Sequence, residues 1–127
     1  MSGVPYPLLC TLLGLVLAWG PWLVHGPIPQ KFDLFYLKGS VIVWAWYAAR
    51  MSIGFWVGIT AWPARWWIRG PLCGVLAMLP LGFVSLGTPT CGAPCVAVNT
   101  FSGALIGLLV AGGAQALGGG RQAPPSR

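Results

Sequence analysis

Apolar positions fall in four long blocks along the chain, at about 7–24, 40–62, 71–87 and 96–117, separated by short segments rich in Pro, Gly, Trp and basic residues. A helix rises about 1.5 Å per residue and needs roughly 17–25 apolar residues to cross the hydrocarbon core of a bilayer. The pattern therefore predicts an all-α integral membrane protein built as a bundle of four transmembrane helices. The third block, PLCGVLAMLPLGFVSLG, sits near the lower length limit and carries Pro80 inside it. Proline removes one intrahelical hydrogen bond, so this helix is expected to be short and kinked. Residues 1–118 read as one four-helix domain. Residues 119–127, rich in Gly, Pro and Ser, read as a flexible polar tail.

Composition reinforces the membrane class. The 127 residues are 57% hydrophobic and 6% charged, against roughly 25% charged in soluble domains. The N-terminus MSGVPYP has no positive region, so the first block is expected to be a retained helix rather than a cleavable signal.

The formal charge of +6 does not point to nucleic acid, because the basic residues are spread along the edges of apolar blocks, where cations meet anionic lipid. Trp62, Arg65, Trp66, Trp67 and Arg69 interleave between the second and third blocks in the manner of interfacial anchors. Arg65, Arg69, Arg121 and Arg127 collect on one side of a four-span topology, opposite Lys31 and Lys38. That bias predicts a multi-pass protein with both termini in the cytoplasm.

Arg50 breaks the pattern. It lies in the middle of GSVIVWAWYAARMSIGFWVGITAW, far in sequence from any carboxylate. A guanidinium at mid-span costs at least ~2.5–3.5 kcal/mol unless neighbours or a ligand satisfy it. A helical side chain leans toward its own N-terminus, and the fourth block carries Asn99, Thr100 and Ser102 near its start. Arg50 is thus expected to point at that cluster, with Tyr47 one turn away. There it would hold helices in register, or bind an anion, a lipid headgroup or a partner's carboxylate.

Gly103, Gly107 and Ala111 recur at four-residue spacing, a small-residue face that lets helix backbones approach closely. Internal packing is the favoured use of that face, ahead of contact between protomers. Cys91 and Cys95 form a candidate disulfide in a turn assigned to the outer side. A metal site is not expected, since four-ligand zinc lacks partners here. Ligation of haem or a pigment by His25, the single histidine, is a minor alternative to an interfacial histidine within an aromatic belt, and no cofactor is expected. Cys10 and Cys73 read as small buried apolar residues.

The only acidic side chain is Asp33, so two-carboxylate acid–base catalysis is excluded within the chain, and an enzyme is not expected. Four helices in so few residues resembles the size of two families, the small multidrug resistance transporters and the small dual-topology fluoride channels. The first depend on a glutamate in the first helix, and this chain has none. VNTFSGALIGLL at residues 98–109 is similar to the Val-Asn-x-x-Gly-Ser-Phe segment of the second over part of one helix. Gly103 arrives one residue late, however, and the Thr-Phe-Ser-Thr-Phe motif does not follow. Neither resemblance assigns a family. The reading that remains is a non-catalytic accessory or structural subunit of a larger membrane complex, docking helices, lipids or pigments. Its partners would be membrane lipids and other subunits or copies of itself, not nucleic acid. The alternative is a small oligomeric anion channel or transporter with Arg50 at its binding site.

Overall fold

The computed structural model describes residues 4–20, 39–87 and 92–117. They form four α-helices: α1 Tyr6–Leu17, α2 Gly39–Ile59, α3 Trp66–Leu86 and α4 Gly92–Ala116. Among them, α3 and α4 are long and apolar enough to cross a membrane. The Cys91 half of the candidate disulfide, His25, Lys31, Asp33, Lys38 and residues 119–127 all lie outside the described residues.

The helix boundaries differ from the apolar blocks in instructive ways. α1 begins at Tyr6, with Pro7 in its first turn, where the missing proline N–H has no acceptor to lose. Its 12 residues rise only about 18 Å, less than the bilayer core. Ala18 caps this helix, and residues 21–24 of the expected first span lie outside the described residues.

α3 is not short. It spans 21 residues because it starts at Trp66 and takes Pro71 into its interior. Only the Trp67 carbonyl loses its intrahelical donor there, because proline deprives the residue four places earlier. α4 likewise starts four residues before the expected boundary and reaches 25 residues. Its Pro94 falls in the first turn, where proline is tolerated. Gly92 opens the helix at φ +57°, a left-handed conformation that a residue without Cβ enters at little cost.

The helices pair along two sealed seams. On the first, α1 and α2 run antiparallel: a Cβ on Gly14 would lie 2.7 Å from the Gly54 Cα, and one on Gly58 would lie 2.8 Å from the Pro7 Cα. On the second, α3 and α4 run antiparallel with Gly70 against the Gly107 carbonyl and Gly74 against the Gly103 carbonyl, backbone on backbone. Such approach needs glycine, since any side chain would have to occupy the space of the neighbouring main chain. These two pairs make the most extensive interhelical contacts. A common core then joins them, with Leu9 and Cys10 from α1, Ile53 and Val57 from α2, Met78 from α3, and Ile106 and Val110 from α4.

Candidate functional site

Two buried arginines are the chemical anomaly of this fold. Arg50 lies on the inward stripe of α2, between buried Trp46 and Tyr47 on one side and Ile53 and Val57 on the other, and is 6% exposed. Its guanidinium carbon sits 5.8 Å from the centroid of the Tyr47 ring, within cation–π range. The Tyr47 ring stacks in turn on Trp19 at 4.9 Å, and Trp19 meets Trp44 edge-on at 6.3 Å. An aromatic wall therefore covers one face of the charge. The Nε and Nη1 groups are buried without a hydrogen-bond partner.

The expected polar cluster lies in the first half of α4. On α4, Asn99 is buried, Thr100 is half-buried, and the Ser102 Oγ is buried without a partner. Among the described residues no hydrogen bond joins Arg50 to any of them. The cause is local. The side chain leans back one turn, as helical side chains do, and settles over Tyr47. Depth is not the obstacle: Arg50 lies about 16 Å along α2 from Gly39, and Ser102 about 15 Å along α4 from Gly92.

Arg69 requires a correction. Read from the sequence as an interfacial anchor, it is 2% exposed. Its Nη2 donates to the Tyr6 hydroxyl at 2.8 Å, its guanidinium carbon lies 5.5 Å from the Tyr6 ring centroid, and its Nε is buried without a partner. Helical periodicity explains this once α3 is known to begin at Trp66: Arg69 falls on the same stripe as Gly70, Cys73 and Gly74, all buried. Extending the apolar pattern one turn before Pro71 would have found it.

The remaining anchors divide. Trp62, at 76% exposure, Arg65 and Trp67 are exposed, with the Arg65 guanidinium 5.7 Å from the Trp67 ring centroid. Trp66 is partly packed, since a Cβ on Gly112 would lie 3.2 Å from its ring. Gly103 and Gly107 pack within the chain against Gly74 and Gly70, and Ala111 is buried close to Gly70.

Cys10 and Cys73 are free and buried, whereas Cys95 is not a free thiol. Among the described residues no group of three or more His, Cys, Asp or Glu comes together. The chemistry on offer is thus cationic and hydrogen-bond donating, in an apolar surround. No family model matches the chain, and no curated protein or solved structure matches it at a significant level.

Proposed function

We propose that this chain is a non-catalytic, multi-pass membrane protein that serves as an accessory subunit of a larger membrane complex. Its four helices span the bilayer with both termini in the cytoplasm, and it works through its flanks. The observation that carries this reading is the contrast between inside and outside. Inside, both seams close at glycine backbones. Outside, large apolar side chains stand exposed on every helix, among them Val16, Trp44, Phe83 and Phe101, the last at 72% exposure. A bundle sealed within and apolar without meets its surroundings laterally, against lipid and the helices of other subunits.

A second reading, a small oligomeric anion channel or transporter, draws on the unpartnered Nε and Nη1 groups of Arg50. The closed seams favour the first, because backbone contact leaves no aqueous passage between paired helices. Extraction of native membranes in a mild detergent, followed by mass analysis of the intact species, tests both. Larger partners in fixed stoichiometry support the accessory role. A homo-oligomer that passes anions in liposomes supports the second reading. A lone chain without partners or flux overturns both.

A further inference from the structure

The two sealed seams leave a weaker junction between α2 and α3, which touch less extensively than either sealed pair. A cavity of about 450 Å³ opens there, lined by Trp56, Thr60 and Trp62 on one side and by Leu72, Leu76 and Ala77 on the other. That volume falls within the roughly 300–1,000 Å³ of ligand pockets. The walls are apolar apart from the Thr60 hydroxyl, the Cys73 thiol and the indole N–H groups. Along α3 the hollow runs from Leu72 to Ala77, about 8 Å by helical rise. A docked helix is about 10–12 Å across with its side chains, more than this run of α3, whereas a single alkyl chain is narrow enough to enter with part of its length.

Charge sets the other half of the match. Arg65 follows Trp62 by three residues and is exposed, with its guanidinium near the Trp67 ring. Stacking on an aromatic ring engages the face of a guanidinium and leaves its edge N–H donors for an anion. Arg65 also stands at the N-cap of α3, with no side-chain cap and no acidic residue in the first turn. The chain's only acidic side chain is Asp33, so among the described residues no carboxylate neutralises this end.

From the cavity and this charge we propose that the groove between α2 and α3 holds one acyl chain of an anionic phospholipid, whose phosphate is bound at the mouth by Arg65. The assignment rests on the membrane-bundle reading, and extends it by naming a specific lipid-binding site. Trp62 at the mouth provides the amphipathic ring that suits headgroup depth.

The test uses the full chain in vesicles of equimolar phosphatidylcholine and phosphatidylglycerol, floated on a density gradient, extracted in mild detergent and weighed intact by native mass spectrometry. The expected species carries one phospholipid, with phosphatidylglycerol favoured about fivefold over phosphatidylcholine. Arg65→Gln, at an exposed position, keeps the helical melting curve and one lipid but loses the preference. Ala77→Phe fills the hollow and retains neither lipid. Floated protein that carries no lipid, shows no headgroup preference, or keeps its lipid in Ala77→Phe overturns this proposal alone. So does a two-chain species that Ala77→Phe dissociates, which would seat a second copy in the groove. A chain that does not float with the vesicles overturns the membrane reading as well.

Discussion

Nη2 of Arg69 donates to the Tyr6 hydroxyl at 2.8 Å, tying the first turn of α3 to the start of α1 across the bundle. Both residues are buried, so the bond exchanges no water and its loss is not repaired by solvent. Tyr6→Phe is expected to cost about 1.5–3 kcal/mol, the range for hydrogen bonds to charged groups, read as a shifted midpoint in denaturant unfolding. Arg69→Leu should cost less, because it removes the buried charge along with its need for a partner. The reverse ranking would show that the guanidinium is held by something other than Tyr6.

Gly74 and Gly103 tolerate no side chain. Gly74 faces the Gly103 carbonyl, and a Cβ on Gly103 would lie 2.6 Å from the Met78 Cγ as well as against the Gly74 main chain. Gly103→Val should therefore destabilise by at least ~3 kcal/mol, since a packed backbone cannot rotate aside as a side chain can. Gly113→Ala is the control. Its Cβ would meet only the Leu13 Cδ atoms, the nearest at 3.3 Å, and the gain in helix propensity is up to about 1 kcal/mol. Equal thermal stability for the two variants would mean that the α3–α4 seam is not closed at its backbones.

Arg50 poses a trade between stability and association. Its Nε and Nη1 lack partners, so Arg50→Met removes an unsatisfied buried charge while keeping much of the volume. The isolated chain is expected to unfold at equal or higher denaturant, by up to roughly 1–4 kcal/mol if it behaves as buried ion pairs do when replaced by apolar groups. Under the accessory reading, the same variant should lose copurifying subunits from native membranes. A variant that is destabilised in isolation yet keeps its partners would make Arg50 a purely internal strut.

Cys10 and Cys73 are free, and the chain has four cysteines. If Cys91 and Cys95 are bridged, alkylation of the unfolded, unreduced chain should modify two thiols, and prior reduction should raise the number to four. Four modified thiols without reduction would exclude the bridge.

The core of each helix was legible in the hydrophobic pattern, because apolar blocks of this length have few alternatives to helix. Boundaries were not, and proline was the reason. The apolar pattern starts the third block at Pro71 and leaves Pro94 before the fourth. The chain instead carries Pro71 inside α3 and places Pro94 in the first turn of α4. Shifting the start of α3 from Pro71 to Trp66 moves Arg69 from the surface to the inward stripe, so an error of one turn concealed one of the two buried cations. Gly103, Gly107 and Ala111 were visible by spacing. Their partners Gly70 and Gly74 do not stand out, because Gly70 falls before the third apolar block and Gly74 alone inside it makes no repeat. Arg50 stood out because a charge inside an apolar run is conspicuous. Its place over Tyr47 follows from the same helical lean, whereas the missing hydrogen bond to the polar residues of α4 depends on side-chain packing that no periodicity encodes.

The pairing of α1 with α2 and of α3 with α4 gives the polypeptide two antiparallel hairpins, each closed along its own glycines. Each half shields its own main chain where its two helices meet. A polypeptide split within residues 60–65 and co-expressed as two fragments should then reassemble into a species that elutes with the intact chain.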